Sequence, residues 1–170
     1  MRDILKGEYR NIEGEERLLV SDSQYVKLNF ASSGQQEVVW ILNVLFNQIV
    51  KNRKTYFIIE EPESHLFPET QKKVMQFIAA VKNSGNEILV TTHSPYILGE
   101  LNNLLYANNI SGKVPKDKLS QIVNEYQWIL YSDFMAHFLS RGKVERSKDY
   151  CIKGRKGKKR ASCHKHTWKI

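Results

Sequence analysis

The chain is short of several things. Of its 170 residues only two are cysteine, Cys151 and Cys163, both in the last twenty positions. That excludes a small disulfide-stapled scaffold, and a reducing, cytoplasmic setting is expected. No apolar run reaches the length a bilayer span requires, and the opening MRDILKGEYRNIEGEE has no signal-peptide core. No membrane partner is expected. No internal repeat is visible. Excess positive charge is missing from most of the sequence. Residues 1–140 hold 14 Lys/Arg against 16 Asp/Glu, whereas residues 141–170 hold 12 against two, Glu145 and Asp149. The net charge of +8 therefore comes from the tail. A whole-protein case for nucleic-acid binding fails, and only the basic run 155–160 remains to touch phosphates.

What is present suits one soluble domain with a real core: 41% of the residues are hydrophobic. Residues 4–30 carry short β-branched and aromatic runs between the turn formers Asn11, Gly14, Ser21 and Asp22, which predicts a small antiparallel meander. Residues 35–50, QQEVVWILNVLFNQIV, are apolar nearly all round and predict a helix buried on most faces, with Trp40 in the core. TYFIIE (55–60) reads as a strand buried on both faces. Pro68 suits the first turn of a helix carrying Val74, Phe77, Ile78 and Val81 at helical spacing, and Gly85 ends it. EILVTT (87–92) is a second buried strand, after which Ser94 caps a short helix, SPYILGEL. Strand, helix, strand, helix makes a parallel α/β unit. Residues 104–107 and 127–131 are further candidate strands, with Trp128 in the core. The composition breaks near residue 146, dividing a domain (1–146) from a basic tail (147–170) that reads as disordered. Cys151, Cys163, His164 and His166 have a spacing that fits no standard structural zinc site.

The chemistry concentrates in YFIIEEPESHLFP (56–68). A buried parallel strand delivers the residues after it to the carboxyl edge of the sheet, where open α/β folds place ligands. Here it delivers Glu60, Glu61 and Glu63. Carboxylates crowded at such an edge repel unless positive charge joins them. Mg²⁺ with a polyphosphate supplies that charge, because hard cations take carboxylate oxygen. One carboxylate would hold the metal, and the next would orient and polarise an attacking water for phosphoryl transfer.

Four segments, in order, resemble those of ABC-type ATPases. Ala31-Ser32-Ser33-Gly34-Gln35-Gln36-Glu37 resembles the signature loop, and the strand ending in Glu60-Glu61-Pro62 resembles Walker B. Ser64-His65-Leu66-Phe67-Pro68 resembles the D-loop, and Thr91-Thr92-His93-Ser94-Pro95 the switch. IIEEPESHLFP with TTHSPYIL is most similar to ATPases of the overcoming-lysogenisation-defect (OLD) type, whose relatives occur in bacterial anti-phage systems. The resemblance covers residues 4–110. It implies an α/β fold, a partial P-loop NTPase sheet with flanking helices preceded by the meander. It implies ATP and Mg²⁺, with Glu60 at the metal, Glu61 as general base and His93 at the γ-phosphate. Ser32, Ser33, Gly34 and Gln35 would contact a nucleotide held by the opposite subunit, with Gly34 allowing close backbone approach. A nuclease is the implied effector.

The family also requires a Walker A loop, G-x-x-x-x-G-K-[ST], upstream of these segments. The sequence contains none, nor a Q-loop: Ser111-Gly112-Lys113 comes after the switch, and Gly154-Arg155-Lys156-Gly157-Lys158 is too short. The expectation is therefore the C-terminal half of an ATPase domain that shares Mg-ATP with another subunit, in a homodimer or with a complementing chain that supplies Walker A, and residues 87–92 left as an unpaired apolar edge. The competing expectation is a non-enzymatic, degenerate ATPase-like interaction module. The plainer readings stand beside these: Glu60-Glu61 as a solvated acidic turn, and Ser32 and Ser94 as helix caps.

Overall fold

A computed structural model describes residues 1–141, 143–146 and 167–169. A single helical turn, α1 (Arg2–Leu5), precedes the meander, where the sequence pattern predicts strand from residue 4. Strands β1 (Glu8–Ile12), β2 (Glu15–Ser21) and β3 (Gln24–Lys27) then form an antiparallel sheet in that order. Glu13 and Gly14 both have positive φ, 52° and 85°, the geometry of a two-residue hairpin turn that matches strand twist. Leu18 of this sheet is buried in the core, and Tyr9 packs against it partly buried.

Helix α2 (Ser33–Val50), strand β4 (Tyr56–Glu60), helix α3 (Pro68–Asn83), strand β5 (Glu87–Thr92) and helix α4 (Pro95–Ile110) come next. β4 and β5 pair in parallel. Helix α5 (Lys116–Ser120) and two 3₁₀ turns lead to the antiparallel pair β6 (His137–Ser140) and β7 (Lys143–Arg146). Strand β8 (Thr167–Lys169) joins the second sheet, ordered β4-β5-β8-β6-β7. One hydrophobic cluster unites the molecule: Val38, Val39, Leu42 and Leu45 of α2, Val74, Ile78 and Val81 of α3, Ile97, Leu101 and Leu104 of α4, and Ile59 and Val90 from the strands.

Several local expectations change. The strand at 104–107 is the second half of α4. Ile97, Glu100, Leu101, Leu104 and Leu105 keep the 3–4 spacing of one buried helix face straight through Asn102 and Asn103. Residues 127–131 form no strand; Gln127 ends one 3₁₀ turn, Tyr131 starts the next and residues 128–130 join them, with Trp128 buried and its indole N–H donating to the Val123 carbonyl at 3.0 Å. Helix α2 buries one face only. Trp40, expected inside, is 57% exposed, and Val44 and Val50 lie open as well. β4 is likewise one-sided: Ile59 is buried, while Tyr56 and Ile58 face outward. The outer edge of β5 is not wholly unpaired, because Thr91 and Thr92 pair with Lys169 and Trp168. β8 falls inside the tail read as disordered; residues 147–166, with Cys151, Cys163, His164, His166 and the run 155–160, lie outside the described residues.

Candidate functional site

β4 and β5 run in register with Glu60 opposite Thr91, so both strands end at the same edge. The chain leaves β4 through Glu61, whose φ of 45° lies in the left-handed region that non-glycine residues seldom enter. The Glu61 N–H still donates to the Thr91 carbonyl at 2.8 Å, adding one rung to the ladder. The bend turns Pro62 and Glu63 inward, and both are buried. Bonds from Ser64 N–H to the Glu61 carbonyl (3.0 Å) and from Leu66 N–H to the Glu63 carbonyl (3.1 Å) close the turn around His65, which also has positive φ, 57°.

Opposite this turn, β5 passes into α4 through Thr92, His93 and Ser94. The Ser94 hydroxyl caps α4, accepting from the N–H groups of Tyr96 and Ile97, as its sequence position predicts. Pro95 occupies the first helical turn, where a missing N–H costs nothing. His93 thus stands at the mouth of the edge, and its Nδ1 lies 3.2 Å from Glu61 Oε1 and 3.8 Å from Glu63 Oε1. The His93 and Glu61 side chains are each about half exposed, 56% and 47%. The Glu60 side chain is exposed and makes no hydrogen bond or ion pair among the described residues.

Ser32, Ser33, Gly34 and Gln35 form a second constellation with partners of its own. Ser32 and Gln35 make a reciprocal capping box at the start of α2. The Gln35 amide also donates to the Leu5 carbonyl at 2.8 Å, tying α1 to α2. At Gly34 the structure shows a close approach within the chain: a Cβ there would sit less than 3.0 Å from the carbonyl carbon and oxygen of His65. His65 Nδ1 in turn lies 3.1 Å from Glu37 Oε1. The signature-like loop is therefore packed on His65, at the end of the turn that begins at Glu61.

Mg²⁺ keeps several waters and is bound through one or two carboxylates plus substrate phosphates. The exposed, unpaired Glu60 carboxylate fits one such position. Among the described residues no group of three or more His, Cys, Asp or Glu side chains forms a complete metal cage.

Sequence reasoning missed the roles of Glu63 and Thr92. Glu63 is 4% exposed and Thr92 is fully buried. The Thr92 hydroxyl donates to Glu63 Oε1 at 2.6 Å, and the N–H groups of His93 and Ser94 donate to the same oxygen at 3.0 and 3.2 Å. A signal existed: a third acid, Glu63, sits in the turn after β4, within reach of the amides that precede the Ser94 helix cap.

The model of the AAA ATPase domain family matches residues 2–98, more than half of the chain, from α1 into α4. No curated protein and no solved structure matches the chain. Among the described residues no helix is long and apolar enough to cross a membrane.

Proposed function

The chain belongs to the AAA ATPase domain family, and from that premise we propose that it is an ATPase half-site of the ABC type, completed by a phosphate-binding loop from another subunit or chain. The observation that supports this reading is the 3.2 Å approach of His93 to Glu61 across two parallel strand ends. Glu61 orients a water for attack on the γ-phosphorus of ATP and takes up its proton as the bond to the leaving ADP breaks. His93 contacts the γ-phosphate from the switch turn. Ser32, Ser33, Gly34 and Gln35 meet a nucleotide held by the opposite subunit. Mg²⁺, which this family uses with ATP, would be bound near Glu60 and would neutralise charge on the phosphates. The OLD-like segments favour a role in anti-phage defence, with the cycle driving a nuclease effector.

A second reading, a non-enzymatic interaction module, is favoured by one observation: no G-x-x-x-x-G-K-[ST] occurs in the sequence. Glu61→Gln separates the two. The tagged chain is recovered from its native cells with whatever completes it, and Mg-ATP turnover is measured. The variant is expected to assemble normally and to lose turnover by about a hundredfold or more, the usual contribution of a general base. Equal turnover by both proteins would sink the ATPase reading.

A further inference from the structure

We propose that Glu63 is the positioning residue of this site: its buried carboxylate holds the turn that carries His93 and so sets where the imidazole stands against Glu61. Its bearing on hydrolysis rests on the ATPase reading above; the contacts themselves do not.

Glu63 lies at the centre of the Glu61–His65 turn, flanked by two residues in left-handed backbone. That geometry aims its side chain back at the end of β5. One oxygen, Oε1, accepts the Thr92 hydroxyl and the His93 and Ser94 amides. The Ser94 amide is shared with the Thr92 hydroxyl oxygen, 3.0 Å away. Three consecutive residues of the switch turn are therefore tied to one atom. Oε2 is buried with no hydrogen-bond partner among the described residues. Burying a carboxylate is costly, and leaving half of it unpartnered adds to the cost. Charge-assisted bonds are about twice as strong as neutral ones, so a carboxylate fixes these amides where a neutral acceptor would hold them loosely. The His93 amide is one of the three donors, so its backbone, and with it the ring beside Glu61, is fixed by Glu63.

A residue that merely filled space would affect the whole fold evenly. A positioning residue acts on the turn. The test uses the full 170-residue chain, labelled with ¹⁵N, without nucleotide. Amide hydrogen exchange at His93, Ser94 and, as an internal reference, Val90 of β5 is monitored in the wild type, Glu63→Gln and Glu63→Ala. The His93 ring nitrogen signals are recorded in the same samples. Glu63→Ala is expected to speed exchange at His93 and Ser94 by roughly tenfold or more relative to Val90, the effect of losing hydrogen bonds to a charged group. It is also expected to move the ring signals toward those of an unstructured histidine. Glu63→Gln keeps one acceptor oxygen and should fall between the two, with a selective rise of a few-fold. If Glu63→Ala does not fold, the glutamine variant carries the test alone. Exchange at His93 and Ser94 that rises no more than at Val90, or ring signals that stay put, overturns the proposal. Because no nucleotide is involved, a selective effect here together with unaffected turnover in Glu61→Gln would retain the role of Glu63 in the turn and reject the ATPase reading.

Discussion

Gly34 shows how much one missing methyl group decides. With no Cβ, the first turn of α2 settles on the carbonyl of His65, so the signature-like loop packs directly on the turn that runs from Glu61. The obstacle to any larger residue is backbone, which cannot swing aside. Gly34→Ala is expected to cost about 1–3 kcal/mol in urea unfolding, as overpacking does. Ser32 is a smaller case: its hydroxyl and the Gln35 side chain satisfy donors at the start of the helix, and Ser32→Ala should cost about 1 kcal/mol. Both residues can be picked out from the sequence, and so can Glu60, Glu61 and His93, because their types and order are local signals. Glu63 cannot be assigned a role in the same way. What it does depends on where β5 ends, and that is fixed only when two strands far apart in the chain come into register.

At the scale of elements, the periodic segments are legible. α2, α3, β4 and β5 fall where apolar spacing, Pro68 and Ser94 put them. The full length of α4 is not, because Asn102-Asn103 resembles punctuation although the buried face continues beneath it. The one-sidedness of α2 and β4 is illegible for a different reason: an apolar side chain carries no mark of whether another layer covers it. This yields a direct contrast within one strand. Ile59→Ala, at a buried position, should cost about 2–5 kcal/mol, whereas Ile58→Ala, at a position 62% exposed, should change stability by about 0.5 kcal/mol or less. Equal losses in urea titrations would mean that the outer face of β4 is covered in solution. A pH dependence belongs here too. Lys82 of α3 donates to Asp133 at 2.8 Å and pins the turn Tyr131–Asp133 against the helix. The Lys82 hydrogen bond, with help from Ser132, holds the Asp133 carboxyl below its ordinary value. A carboxyl whose folded pKa is lowered stabilises the fold above its unfolded pKa, and that stability is lost as the pH falls through the lower, folded value. The stability margin of the wild type over Lys82→Met should therefore be steady above about pH 5 and close as the pH drops below about 4. Parallel urea titrations from about pH 7 down to about pH 2.5 span that window; a margin unchanged at the acid end would show that Asp133 gains nothing from Lys82.

For the whole molecule, the second sheet has a single parallel pair among the described residues, β4 with β5, and takes its remaining partners antiparallel. Large apolar side chains stay open on several elements: Trp40 and Val44 on α2, Tyr56 and Ile58 on β4, and Phe67 just before α3. The proposed half-site reading does not rest on these residues; it rests on Glu61 and His93 at the strand ends. The most direct measurement is a calorimetric titration of the purified 170-residue chain with Mg-ATP, with no other protein present. A half-site with Glu61 and His93 but no Walker A loop predicts no binding heat up to millimolar nucleotide. Stoichiometric binding would mean that this chain holds the phosphates by itself, and the half-site reading would be wrong.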